Sequence, residues 1–111
     1  MRRVLIESPF AGDVEKNIEY ARRCVRDSLS RGEAPIASHL LYTQDGILSD
    51  GILKESYWGI DAGLAWLDVA DASIVYTDLG ISRGMEFGIE AAKARGRKVE
   101  YRQIGLNDEC N

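Results

Sequence analysis

Four short apolar or β-branched runs, separated by segments of helical spacing, set the strongest constraint on how this chain folds. The first run, Arg3-Val-Leu-Ile-Glu7, reads as a strand that Ser8-Pro-Phe-Ala-Gly-Asp13 breaks into a loop. Asp13 suits a helix N-cap, and Glu15 suits the positive end of the helix that follows. Val14, Ile18, Ala21, Val25 and Leu29 recur at helical spacing until Gly32 closes the element behind Arg31. A second strand is expected over Ala34-Pro-Ile-Ala-Ser38. The polar, glycine-containing stretch from Gln44 to about Lys54 reads as a mobile loop near the site. A helix follows over residues 55–69, with Ile60, Leu64 and Leu67 on one face. Residues 72–77 are almost wholly apolar or β-branched, as a strand covered on both faces should be. The loop from Asp78 to Gly84 leads into a helix over 84–95, with Met85, Ile89 and Ala92 inward and Gly96 as its stop. Lys98–Arg102 alternates like an edge strand.

Strands that alternate with helices imply parallel strands joined by helical crossovers. The expected class is α/β: a three-layer flavodoxin- or Rossmann-like sandwich around a small parallel sheet of about four strands. In such sheets ligands lie beyond the carboxyl ends of the strands, where the strand order reverses. The first and third strands are expected to be neighbours there. Their exit loops, Ser8–Asp13 and Asp78–Gly84, then frame the site.

Size and charge narrow the partners. At 111 residues and 45% hydrophobic, the chain suits one domain over 1–111 with a small core, so a homo-oligomer is expected. A net charge of −4 without a long basic run argues against nucleic-acid binding. No stretch of ~20 apolar residues is present, so no membrane span is expected. The opening residues lack the pattern of a signal peptide. Cys24 reads as a small core residue and Cys110 as part of a polar tail; far apart, they fit no metal spacing. A reducing cytoplasm is the simplest location, and no metal or organic cofactor is implied.

The exit loops hold the chemistry. Glu86 stands in the first turn of the helix over 84–95, where the helix N-terminus favours its ionised form. A carboxylate there can attack a sugar carbon or stabilise an oxocarbenium-like state, and it can equally do no more than complement the helix dipole. Asp78 ends the third strand and is expected to point into the crevice as an acid, or else to cap its turn. Ser8, Pro9, Phe10 and Gly12 in the first loop and Gly80, Ser82 and Gly84 in the second are candidate substrate-binding positions. His39, the only histidine, joins them from the end of the second strand with either a binding or a structural role. Arg83 can meet a phosphate, and Trp66 reads as core or subunit interface.

Four segments resemble the nucleoside 2-deoxyribosyltransferase superfamily, which includes the 2′-deoxynucleoside 5′-phosphate N-hydrolases. They are Val4–Gly12, Ser38-His39, Gly63–Asp71 and Gly84-Met-Glu-Phe-Gly88, within a resemblance that covers about residues 3–102. The resemblance implies that Glu86 is a nucleophile forming a deoxyribosyl-enzyme intermediate, resolved by a second base or by water. It implies a nucleoside or nucleotide as the small-molecule partner. Two positions depart from the pattern: Gly63 stands where the family carries an aspartate that assists the leaving base, and Ser8 where it favours glycine. Asp61, two residues from Gly63, is expected on another side of the helix. The nucleotide hydrolases' serine–arginine phosphate pattern is not evident, which favours a nucleoside. Three readings follow: an enzyme acting on an N-glycosidic bond, a binding protein without that chemistry, and a small oligomeric interaction protein.

Overall fold

The computed structural model describes residues 1–49 and 51–106, so Cys110 lies outside the described residues. The elements run β1 (Arg3–Glu7), α1 (Val14–Ser30), β2 (Ala34–Ile36), α2 (Ser38–Leu41), α3 (Leu53–Leu67), β3 (Ala72–Tyr76), α4 (Arg83–Ala94) and β4 (Lys98–Arg102). All strand pairs are parallel, in the order β2-β1-β3-β4. Val4 to Glu7 of β1 align with Ala72 to Val75 of β3, so the first and third strands are neighbours. This is the expected α/β architecture, with β2 and β4 as edges.

Each face of the sheet has its own core. Val4 and Ile6 of β1 and Ile74 and Tyr76 of β3 pack with Tyr20 and Cys24 of α1. The alternate residues, Leu5 and Val75, face the other layer, where Leu67 of α3 and Met85, Ile89 and Ala92 of α4 are buried. All five residues of β3 are buried, as a strand between two helical layers requires.

Local chemistry sets the helix ends. The Asp13 carboxylate accepts the Lys16 N–H at 3.3 Å, and Ser82 Oγ accepts the Met85 N–H at 3.3 Å. Gly32 and Gly96, with φ of +80° and +67°, follow the ends of α1 and α4 in a conformation that a side chain disfavours.

Three expectations change. β2 stops at Ile36, and Ser38 opens the short α2 instead of ending a strand, so His39 sits on a helix. α3 begins at Leu53, inside the stretch read as a loop. The inward face of α1 is Asn17, Tyr20, Ala21, Cys24 and Ser28, while Leu29 is exposed. Polar residues enter that face because each has a partner. Asn17 Nδ2 donates to the Phe10 and Ala11 carbonyls, Tyr20 OH to Asp78 and Ser28 Oγ to Glu33. A pattern built on apolar residues alone misses them.

Glu33, just before β2, receives two hydrogen bonds from the Arg102 guanidinium of β4, at 2.9 and 3.0 Å, and a further one from Arg2. Arg102 chiefly holds the Glu33 carboxyl down at about 2, so this stabilisation is present above pH 4.5 and is lost as pH falls toward 2. Arg102→Met leaves Glu33 enclosed with Arg2 as its remaining cation. It is expected to cost about 3 kcal/mol at neutral pH, measured by urea denaturation.

Candidate functional site

The chain leaves β1 for α1 on one face of the sheet and leaves β3 for α4 on the other. A cavity of about 420 Å³ opens at this divergence, on the α3 and α4 side. Its walls come from the end of β1, the loop after it, α2, α3 and the first two turns of α4. The apolar face of α3 serves the cavity more than the core: Ile60 and Leu64 line it, and Leu67 is the only buried residue of that helix.

Of the positions singled out in the sequence, Ser8, Phe10, His39, Ser82, Gly84 and Arg83 line this cavity. Pro9, Gly12 and Gly80 do not. Gly12 and Gly80 instead shape their loops, with φ of +101° and +85°. Ser8 Oγ lies 2.6 Å from His39 Nε2. Burial lowers the His39 pKa to about 4, so the imidazole is neutral at pH 7. Ser82 Oγ is already engaged in capping α4.

The two expected catalytic carboxylates lie elsewhere. Glu86 is exposed and absent from the cavity wall, although its neighbours Met85 and Phe87 belong to it. The core stripe of Met85, Ile89 and Ala92 turns Glu86 to the other flank of α4. Asp78 does not point into the crevice. Its carboxylate accepts from Tyr20 OH at 2.6 Å and from the Ile104 and Gly105 N–H groups at 3.0 Å each. Burial works to raise its pKa, but these bonds outweigh that and hold it below the ordinary range. Asp78 thus ties the segment after β4 to α1.

Among the described residues two carboxyl groups do line the cavity: Glu55 of α3, which accepts the Ser49 N–H at 2.8 Å, and Glu7 at the end of β1. Strand alternation puts Glu7 on the same face as Leu5, toward α4. Gly88 makes room for it: a Cβ at Gly88 would lie 2.2 Å from Glu7 Oε2 and 2.6 Å from Cδ. A glycine inside a helix costs about 1 kcal/mol relative to alanine, so this packing is its physical reason. The carboxyl forms no hydrogen bond or ion pair with the described residues, and burial pushes its pKa up to about 8. The sequence signal was available in retrospect: a charged residue closing an interior strand, with a glycine inside the helix that packs beside it. Gly63 also lines the cavity, and a Cβ there would make a tight contact with Ser38 Oγ at 3.0 Å, which a small shift of that hydroxyl relieves.

A family model described as Domain of unknown function (DUF7768) matches residues 2–102. The chain belongs to that family. No curated protein matches its sequence. Its fold is similar to a 2-deoxyribosyltransferase from the psychrotolerant bacterium Bacillus psychrosaccharolyticus, with a TM-score of 0.63 and 16% identity. That match covers 91% of this chain and 72% of the other. It is also similar to a 2-deoxyribosyltransferase from Leishmania mexicana, with a TM-score of 0.65 and 13% identity over 93% of this chain and 65% of the other. At such identities the likeness is one of fold. Among the described residues no helix is long and apolar enough to cross a membrane.

A carboxyl whose pKa rises on folding contributes fully below its unfolded value of 4.5, and that contribution is lost as pH climbs through about 8. Glu7→Gln removes this loss. The variant is expected to gain stability on the parent between pH 4.5 and 8, by about 4 kcal/mol at the upper end, or on the order of 20 °C in Tm. Thermal denaturation at pH 5 and pH 8 checks it; an equal Tm difference at both values contradicts it.

Proposed function

We propose that the cavity binds a nucleoside and that the chain cleaves or exchanges its N-glycosidic bond. The observation that carries this reading is a carboxyl group facing a 420 Å³ cavity at the strand-order reversal of a fold similar to two 2-deoxyribosyltransferases. The volume falls within the roughly 300–1,000 Å³ of small-molecule sites. Phe10, Ile60 and Phe87 offer apolar walls suited to a base, and the Ser8 and Ser38 hydroxyls suit a sugar. The neutral His39 supports an uncharged ligand over a phosphorylated one. Arg83 at the rim is the only arginine or lysine that lines the cavity among the described residues.

Gly63 and the exposed position of Glu86 favour a second reading, in which the cavity binds the same ligands without chemistry. Chromatography of mixtures with 2′-deoxynucleosides and their 5′-monophosphates, with and without an acceptor base, separates the two. The first reading expects free or exchanged base, and more from nucleosides than from monophosphates. It also expects Glu86→Gln to stay within about twofold of the parent rate, because that side chain lies off the cavity wall; a loss of about 10²-fold, the scale of a reacting group, would return the chemistry to Glu86. Ligands that raise Tm without any base release would establish the second reading.

The chain is also proposed to be a homo-oligomer. Leu53, Tyr57 and Trp58 leave an exposed apolar outer face on α3. Sedimentation velocity is expected to show a species larger than 12.3 kDa.

A further inference from the structure

The N-glycosidic reading leaves open which group delivers a proton to the departing base. The aspartate that the resemblance implies is replaced by Gly63, Asp78 is engaged behind the sheet, and Glu86 faces solvent. Glu7 remains. It closes the central strand β1, lines the cavity and packs its carboxyl against the Gly88 backbone. We propose that Glu7 is the general acid of this site and that Gly88 exists to let its carboxyl stand there, an inference that rests on the N-glycosidic reading above.

The surroundings suit an acid more than a nucleophile. The titratable groups sharing the cavity are His39 and Tyr42 from α2 and its end, Glu55 from α3 and Arg83 from the start of α4; β3 sets Val75 opposite Glu7. His39 is neutral and bonded to Ser8, while Glu55 accepts the Ser49 N–H at 2.8 Å. Arg83 is exposed and forms no ion pair with Glu7. Without a paired cation, burial keeps the Glu7 carboxyl protonated near neutral pH. In the proposed step the C1′–N bond breaks with its electron pair on nitrogen, and the Glu7 O–H proton passes to that nitrogen. A water oxygen forms the new bond to C1′ and sheds a proton to solvent. Glu7 then regains a proton, so nucleoside and water become free base and sugar.

The test uses the whole chain and a 2′-deoxynucleoside that the chromatographic assay shows to be cleaved. Glu7→Gln is expected to lower kcat by about 10²-fold or more, while the ligand-induced rise in Tm persists. The parent kcat should fall as pH rises past about 8, and the variant's should not. Gly88→Ala, which displaces the carboxyl, is expected to lower kcat at least tenfold. An N7-methylated purine deoxynucleoside carries a leaving base that is already cationic and needs no proton. On it, Glu7→Gln should come within about tenfold of the parent. A Glu7→Gln variant that cleaves ordinary deoxynucleosides at the parent rate overturns the acid assignment and leaves the N-glycosidic reading intact. A parent chain that binds deoxynucleosides without releasing base between pH 5 and 9 overturns both.

Discussion

The parallel pairing of β1 with β3 is the constraint from which the rest of the molecule follows. Four registered residues, Val4 to Glu7 against Ala72 to Val75, fix the two exits side by side. The chain then departs in opposite senses, through α1 to β2 and through α4 to β4, on opposite faces. A hollow is left at the end of the sheet between those departures. α3 supplies its far wall and anchors itself mainly through Leu67.

The two faces of the sheet handle charge differently. On the α1 side, Glu33 meets Arg2 and Arg102, Arg2 also meets Glu100, and Asp78 collects Tyr20 with two backbone N–H groups. Carboxylates there stay ionised because charge and hydrogen bonding offset burial. On the cavity side, Glu7 and His39 are half-buried without a charged partner, and both shift toward their neutral forms. Beside the strand ends the hollow therefore carries Glu7 and His39 in their neutral forms, a setting for an uncharged ligand. The same burial makes Glu7 a cost to the fold at neutral pH, which a purely structural residue in that place would avoid.

Much of the architecture was legible because side-chain period reports geometry directly. The burial of Met85, Ile89 and Ala92, the fully covered β3 and the neighbouring exits of β1 and β3 all follow from spacing and element order. Legibility failed where a polar residue is buried by a distant partner. Tyr20 reaches Asp78 and Ser28 reaches Glu33, so the inward face of α1 is richer in polar groups than its apolar stripe suggests. The same effect misplaced Asp78, whose partners lie on α1 and beyond β4. For the site, the loop residues Ser8 and Phe10 were readable from their place after a central strand, whereas the carboxyl group was not.

The sequence by itself determined the alternation of strands and helices, hence a parallel sheet, and it determined which loops meet at the sheet's carboxyl edge. It did so because backbone period and chain order are local properties. Only the tertiary structure decided which glutamate faces the hollow. Glu86 and Gly88 are two residues apart on a helix, which turns them about 200° from each other. The apolar stripe fixes which side of α4 lies on the sheet, but only its packing beside β1 shows that the Gly88 flank borders the cavity and the Glu86 flank does not. A carboxyl from a different strand fills the space left by that glycine, and no local pattern in either segment records the meeting.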